Sequence, residues 1–269
     1  MAWTRRYDKA EPQRVNRWLA HNGVCSRREA EALIVKGLVS IDGETVQDAG
    51  RKIERGQTLT LANEAGASGA GPLTIVMNKP VGFVSGQPEP DQVPAVRLVI
   101  AAALWGEFSG EVPGPDSRLP PIGRLDKDSR GLLILSEDGV VAKAVIGPTS
   151  EVDKEYLVRV TGALNNRKIR MLRHGLRLDG RDLKPARVDV VEGQLLRFTL
   201  KEGRNRQIRR MCEMVELDVI DLQRIRVGPI ALGDLPEGRW RPMTAAERQA
   251  LIQASQPGPT SSASRPATS

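Results

Sequence analysis

The sequence predicts an α+β fold, in which a small N-terminal module precedes a larger domain built on a mainly antiparallel mixed sheet. Two observations support this prediction. Residues 13–62 contain two short amphipathic helical stretches followed by a hairpin signal. From about residue 73 to 250, strand-length runs of branched apolar residues alternate with short helical stretches. A chain of 269 residues has room for both parts.

The small module is defined by helix and turn signals in a fixed order. Its first helix places Val15, Trp18 and Leu19 on one face. Ser26 and Glu29 have the spacing of a capping box that opens a second helix. An Asp-Gly turn between two β-branched runs then predicts a β-hairpin over residues 39–46.

Composition breaks divide the chain into five segments. NEAGASGAGP lacks large apolar residues and predicts a linker, and QPGPTSSASRPATS near the end predicts disorder. The larger domain shows strand-like runs at Leu73–Met77, Leu132–Leu135, Tyr156–Val160 and Leu195–Leu200. The predicted segments are a flexible N-terminus (1–12), the small module (13–62), the linker (63–72), the larger domain (73–250) and a disordered tail (251–269).

Composition also limits the classes of function. A net charge of +7 and a pI near 9.7 favour an anionic partner such as nucleic acid. The two cysteines and two histidines form no zinc-binding spacing, which argues against a zinc-dependent base deaminase. We therefore expect neither a metal nor another cofactor. No apolar run is long enough for a membrane span and no secretory signal opens the chain, so we expect no membrane association and a cytoplasmic protein.

Asp126 lies in a glycine-bounded loop, GRLDKDSRG, directly before the apolar run Leu132–Leu135. A carboxylate placed there could face a cleft and act in catalysis. From the residues alone it could equally accept backbone hydrogen bonds in a turn. The pattern leaves both interpretations open.

A second charged segment lies near residue 207. Its apolar residues repeat at i, i+3, i+4 and i+7, which predicts a helix with one buried face. Five cations fall within ten residues and could form a phosphate-binding edge or a solvated charge run. The apolar residues are Ile208, Met211, Cys212 and Val215, and the cations are Lys201, Arg204, Arg206, Arg209 and Arg210.

The small module resembles the S4 RNA-binding domain. The segment RVNRWLAHNGVCSRREAEALIVKGLVSIDG carries the resemblance over nearly the whole module. In S4 domains the two helices present basic side chains to structured RNA. The resemblance implies RNA contacts from Arg14, Arg17, Ser26, Arg27, Arg28 and Lys36.

The larger domain resembles the pseudouridine synthases related to the bacterial small-subunit enzyme, which combine this domain with an S4 module. NKPVGFVS, GRLDKDSRGLLILSEDG, KEYLVRV and GRNRQIRRMCE match that family's elements in family order. The combination of GRLDKDS with NRQIRRMCE looks most like the large-subunit synthase F type. The resemblance implies an isomerase that converts uridine into pseudouridine in RNA without a cofactor.

The resemblance also assigns roles to individual residues. Asp126 matches the catalytic aspartate, Arg209 the basic residue that pairs with it, and Tyr156 the tyrosine that stacks on the flipped base. Arg124 matches a residue that fills the space left by that base. Lys79 and Pro80 are expected to support the structure. Further RNA contacts are implied for Lys127, Arg206, Gln207 and Ile208. The resemblance also favours a phosphate-binding edge over a solvated charge run for the five cations near residue 207.

The expected partner is ribosomal RNA, as 23S rRNA or a large-subunit precursor particle, and we expect a monomer. Two other functions remain open at this point. One is a non-catalytic RNA-binding or ribosome-assembly factor, which the joint presence of Asp126, Tyr156 and Arg209 disfavours. The other is a synthase acting on tRNA or small-subunit rRNA, because basic helices recognise backbone and shape rather than sequence. The connection over residues 87–119 is longer than the family usually shows.

Overall fold

A computed structural model of the chain describes residues 3–22, 24–25, 27–62, 72–114 and 119–255. These residues form two compact units. One unit comprises the described residues up to Lys143 together with Asp234–Met243. The other comprises Ala144–Gly233 together with the described residues from Thr244 onward. The predicted linker and the capping residue Ser26 lie outside the described residues, apart from Pro72.

The N-terminal module contains two helices and short strands, as the sequence predicts. Its elements are β1 (Trp3–Arg6), β2 (Gln13–Arg14), α1 (Val15–His21), α2 (Arg27–Val35), β3 (Val39–Ile41), β4 (Glu44–Thr45), β5 (Lys52–Ile53) and β6 (Thr58–Leu61). Strands β1, β6, β3 and β4 form one sheet in that order. The predicted hairpin is confirmed, because β3 pairs with β4 in antiparallel register.

The first strand corrects the prediction that residues 1–12 are flexible. Trp3–Arg6 pairs antiparallel with β6. The rings of Trp3 and Tyr7 meet Trp18 of α1 edge to face, at centroid distances of 5.8 and 5.6 Å. Aromatic pairs of this geometry stabilise a core beyond the burial of their area. The polar composition of the segment hid these two aromatic anchors.

The larger domain contains the remaining elements. They are β7 (Thr74–Lys79), β8 (Pro121–Ile122), β9 (Arg130–Ser136), α3 (Gly139–Ile146), β10 (Lys154–Thr161), α4 (Asn166–Arg173), β11 (Arg177–Leu178), β12 (Arg181–Asp182), β13 (Arg187–Glu192), β14 (Leu195–Leu200), α5 (Gln207–Glu213), β15 (Asp218–Val227), β16 (Ile230–Ala231), β17 (Trp240–Pro242) and α6 (Ala245–Ala254). The pairs β10–β14, β10–β15, β13–β14, β17–β7 and β7–β9 are antiparallel, which confirms the predicted, mainly antiparallel fold class.

Strand β7 is the centre of the sheet in the first unit. It lies between β17 and β9, and all six of its residues are buried. A strand that is covered on both faces is expected to be mainly apolar, as β7 is from Ile75 to Met77, before Asn78 and Lys79. Short β8 pairs with β9 in antiparallel register, so the chain enters the loop that carries Asp126 directly from this sheet.

The long connection over residues 87–119 packs against β17 where it is described. The indole of Trp240 is fully buried and donates to the carbonyl of Ile100 at 2.9 Å. The backbone N–H of Trp105 donates to the carbonyl of Trp240 at 2.7 Å, and Phe108 meets its ring edge to face. Its proline- and glycine-rich sequence is therefore anchored on one buried tryptophan.

The second unit is built on strands β13, β14, β10 and β15, in that order. Strand β14 matches its predicted range, Leu195–Leu200, and the alternating burial of β10 follows from one covered face. Helix α6 corrects the predicted tail, because it continues to Ala254 and buries Leu251. Thr244 and Glu247 form a complete capping box at its start.

Candidate active site and RNA-binding surfaces

The loop that carries Asp126 joins β8 to β9 in the first unit. Leu125 is buried, Asp126 is half-buried, and Lys127 and Arg124 are exposed. The backbone N–H of Ser129 donates to the carbonyl of Asp126 at 3.1 Å and closes a turn. The carboxylate therefore sits between a residue anchored in the core and a residue in solvent.

Ser85 fixes the backbone immediately before Asp126. Its buried hydroxyl donates to the carbonyl of Leu125 at 2.8 Å and accepts from the N–H of the same residue at 2.9 Å. On the other side of Asp126, the N–H of Gly82 donates to the carbonyl of Lys127 at 2.8 Å. The segment NKPVGFVS thus holds the backbone of this loop on both sides of Asp126.

Lys79 supports the turn that makes these contacts. Its ammonium is fully buried and donates to the carbonyls of Pro80 and Phe83, at 2.8 and 2.7 Å. A buried ammonium needs such acceptors, because a charge without hydrogen bonds in the interior is costly. These two hydrogen bonds agree with the supporting role predicted for this residue.

We predict that Ser85→Ala lowers the single-turnover rate about 10- to 100-fold, because a small misplacement of reacting groups costs this much. Affinity for RNA should stay unchanged, since Ser85 is buried. Ser85→Thr keeps the hydroxyl and should restore most of the rate. Ser136→Ala is a matched control, because it removes a buried hydroxyl bonded to Thr74 and Asp138 instead. Equal losses in Ser85→Ala and Ser136→Ala would show a general effect on stability.

In the second unit, Tyr156 lies on the covered face of β10. It shares that face with Lys154 and Val158, and it faces Phe198 on β14 and Arg224 on β15. Tyr156 and Lys154 are each 8% exposed and Arg224 is 1% exposed. Burial and the charge of Arg224 lower the pKa of Lys154 to about 8. The sequence did not reveal these two cations beside the tyrosine.

Helix α5 divides the predicted RNA-binding residues into two groups. Arg206 precedes the helix in the left-handed backbone region, with φ of 48°, and is exposed. Gln207 and Ile208 are buried, and the Gln207 amide donates to Glu202 at 2.9 Å and accepts from the N–H of Arg204. We therefore assign these two residues to internal packing rather than to RNA contact. Arg209 is half-buried and donates to the carbonyl of Val219 at 3.2 Å.

Two further arginines of the charged segment hold a hairpin. The guanidinium of Arg204 donates to the carbonyls of Leu178, Arg181 and Asp182, all in β11 and β12. Arg210 makes two hydrogen bonds to Asp179, at 3.0 and 2.6 Å, and lowers the pKa of that carboxyl. Fewer of the five cations are therefore available for the predicted phosphate-binding edge, because Arg204 and Arg210 bind the protein itself.

The basic side chains of the N-terminal module are exposed where they are described. Arg14 directly precedes α1 and Arg17 lies within it. Arg27 is the first residue of α2, and Lys36 directly follows that helix. Arg28 belongs to α2 by its backbone. Asn16, between the first two, is instead buried and donates to Glu31 at 2.7 Å. The exposed cations remain available to an anionic partner.

Neither cysteine has the environment of a reactive thiol. Burial raises the pKa of both Cys25 and Cys212 to about 12, whereas nucleophilic cysteines need a lowered pKa. Within the described ranges, no three His, Cys, Asp or Glu side chains are grouped so that they could hold a metal ion. None of the described helices is both long and apolar enough to span a membrane.

Comparison with known proteins identifies the class to which this fold and these motifs belong. The family profile of RNA pseudouridylate synthases matches residues 73–214, and that of the S4 domain matches residues 13–59. The chain belongs to the RNA pseudouridine synthases, which are isomerases, and carries an S4 RNA-binding domain.

Individual relatives agree with this assignment. The ribosomal large subunit pseudouridine synthase B of Bacillus subtilis is 33% identical over 245 residues, which cover 89% of this chain and 95% of that protein. The dual-specificity RNA pseudouridine synthase RluF of Salmonella typhi is 34% identical over 239 residues, which cover 87% and 76%. The chain is thus about as similar in sequence to a synthase of the B type as to one of the F type. A crystal structure of a pseudouridylate synthase has the same fold, with a TM-score of 0.58, 24% identity and coverage of 88% and 99%.

Proposed function

We propose that this enzyme converts a specific uridine of 23S ribosomal RNA into pseudouridine, with Asp126 as nucleophile and with the target base flipped out of the RNA. The observation that carries the proposal is the loop geometry. Ser85 and Gly82 hold the backbone on both sides of a half-buried aspartate. The large-subunit activity in the name of the Bacillus relative supports ribosomal RNA as the substrate.

The proposed reaction breaks the N1–C1′ glycosidic bond and forms a C5–C1′ bond in its place. The C5 proton leaves to solvent and N1 gains a proton, so no oxidant or reductant is consumed. A nucleophile that holds the detached fragment for a short time is sufficient, and an ionised carboxylate can attack either the sugar or the base ring. Asp126 is the residue of this chain to which we assign that step.

Tyr156 and Arg209 are proposed to assist. An aromatic ring can stack on an extruded base, as enzymes that act on flipped bases require. A guanidinium stabilises an ionised carboxylate and lowers its pKa, which keeps a nucleophilic aspartate in its charged form. Arg124 is proposed to fill the space that the base leaves, which suits its exposed position beside Leu125.

RNA contacts are proposed for the exposed cations near the catalytic motifs and on the S4 domain. They can neutralise phosphates, which supplies affinity without sequence information. These residues are Lys127, Arg206, Arg14, Arg17, Arg27 and Lys36.

The decisive experiment compares pseudouridine maps of ribosomal RNA from cells with and without this gene. We expect a pseudouridine of 23S rRNA to disappear from the mutant and to return when the purified enzyme is added to the extracted RNA. A lost site in tRNA or in small-subunit rRNA would contradict the proposed substrate. Unchanged maps, together with no turnover by the purified enzyme, would contradict the activity on ribosomal RNA altogether.

A further inference from the structure

The positive charge of the chain is concentrated in one short segment of the second unit. Residues 166–187 contain eight Lys and Arg against two Asp, a net charge of +6, while the whole chain carries +7. The S4 domain, residues 13–62, contains eight Lys and Arg against six Asp and Glu, a net charge of only +2. Of these two regions, the one with the larger excess of positive charge, and so the stronger attraction for a polyanion, lies outside the S4 domain.

Helix α4 forms the first half of this segment and is strongly amphipathic. It buries Ile169 and Leu172, and the Asn165 side chain caps its start by accepting from the N–H of Lys168. Arg167 and Arg170, one turn apart, are exposed on the opposite side of the helix. The helix thus uses its apolar residues for packing and turns these two arginines to solvent.

The β11–β12 hairpin forms the second half of the segment. Like the helix, it buries its apolar side chains and exposes its arginines. Leu176, Leu178 and Leu183 are buried, while Arg177 and Arg181 are exposed. The backbone links the hairpin to the helix, because Ala186 N–H donates to the carbonyl of the last helical residue at 2.9 Å. The exposed arginines of helix and hairpin therefore belong to one continuous piece of structure.

The hairpin is held in place by the charged family motif. Arg204 donates to three of its carbonyls, and Arg210 binds Asp179 at the hairpin turn. Two arginines of GRNRQIRR thus fix the hairpin that presents Arg181. A rigid set of cations loses less entropy on binding than a set on a mobile loop.

The nearby carboxylates are occupied by other cations. Asp179 is bound by Arg210, Asp182 lies 3.6 Å from Arg177, and Asp189 is shared by two arginines of the segment. Across the described part of the chain, no carboxylate oxygen lies within 4.0 Å of a side-chain nitrogen of Arg167, Arg170 or Arg181. These three guanidinium groups keep their full charge toward solvent.

We infer that the exposed arginines of α4 and the β11–β12 hairpin form a second RNA-docking surface, which binds the phosphodiester backbone of the substrate independently of the S4 domain. This arginine surface is defined by Arg167, Arg170, Arg177 and Arg181. The inference rests on the proposed function, because it assigns part of the substrate's binding to the catalytic domain. Guanidinium groups bind phosphate oxygens through paired hydrogen bonds, so arginine suits this role better than lysine.

The test removes the three cations that have no carboxylate partner. The full-length variant Arg167→Gln, Arg170→Gln, Arg181→Gln is compared with the unaltered protein in binding to transcribed 23S rRNA over a range of salt concentrations. Each lost phosphate contact removes about 0.7–0.9 from the slope of log affinity against log salt. We expect the magnitude of the slope to fall by about 2.1 to 2.7 and the affinity at low salt to weaken.

A matched control removes the same charge elsewhere in the catalytic domain. Arg97, Arg159 and Lys143 are exposed and lie outside the segment, and their triple replacement by Gln should leave the slope nearly unchanged. Thermal unfolding confirms that both variants fold, as expected for changes at exposed side chains. An unchanged slope in the test variant, or an equal fall in both variants, would overturn the arginine surface. Binding is measured without turnover, so failure of the proposed activity would appear separately, as absence of pseudouridine formation by the unaltered enzyme.

Discussion

Asp126→Asn is expected to abolish pseudouridine formation, with a rate loss on the order of 10^4-fold or more, which is typical when an enzyme loses its nucleophile. Asparagine keeps the size and hydrogen-bonding shape of the side chain but cannot attack carbon as a carboxylate does. The affinity for RNA should be nearly intact, because a residue that acts in the bond-breaking step contributes little to phosphate binding. Tritium release from labelled rRNA, measured beside a filter-binding titration, separates the two effects.

The same loop offers a matched control. Asp128 lies two residues further on and is exposed, so Asp128→Asn makes the same chemical change without removing the proposed nucleophile. Its rate should stay within a few-fold of the unaltered enzyme. Substantial turnover by Asp126→Asn, or equal losses in both variants, would show that the loop rather than this carboxylate is needed.

The sequence predicted the catalytic domain's strands because burial leaves a clear pattern in them. Leu195–Leu200 alternates between covered and open faces, and its limits were predicted without error. Strand β7 was predicted from its apolar start, but it continues through Asn78 and Lys79. Polar residues usually end a buried strand, and here they continue it because both side chains donate to backbone carbonyls.

The ends of the chain were predicted less well, because composition conceals a few anchoring residues. The first twelve residues are polar on average, but Trp3 and Tyr7 pack against α1. Near the other end, the Thr244–Glu247 capping box was visible in the sequence and would have placed a helix there. Among the described residues of the predicted tail, 251–255, Leu251 is the buried one.

Prediction of the candidate site from the sequence is limited in a similar way. A family motif identifies which residues matter without showing what their side chains contact. Arg204 and Arg210 were predicted to bind phosphate together with their neighbours, but they bind the hairpin. Conversely, nothing in the sequence marked Ser85 as the residue that holds the backbone at Leu125, because that contact joins positions forty residues apart. Charge counts by segment would have revealed the excess over residues 166–187.

Lys154 is an ionisable group whose titration should be visible in the stability of the fold. It is 8% exposed, and its ammonium donates to the carbonyl of Val152 at a long 3.4 Å. Arg224 is the neighbouring cation that disfavours its charged form, while Asp153 acts in the opposite direction. Burial is the largest cause, and the pKa falls from 10.5 to about 8.

The direction of the pH dependence follows from this lowered pKa. Below pH 8 both the folded and the unfolded chain carry the ammonium, so the folded state bears the full cost of burying it. Between pH 8 and 10.5 the folded state releases the proton while the unfolded state keeps it, so the free energy of unfolding rises with pH. Above 10.5 both are neutral and this cost is absent.

Lys154→Met should therefore be more stable than the unaltered protein near pH 7, by an upper limit of about 3.5 kcal/mol, because each unit of pKa shift corresponds to about 1.4 kcal/mol. The difference should shrink as pH rises from 8 toward 10.5, since methionine has no proton to release. Urea unfolding of both proteins across this range measures it, with Lys143→Met, at an exposed position, as the control. A stability difference between Lys154→Met and the unaltered protein that stays constant with pH would contradict the lowered pKa. In that case the ammonium would remain charged in the folded protein up to its ordinary value, and the covered face beside Tyr156 would have to accommodate it by contacts other than the Val152 carbonyl.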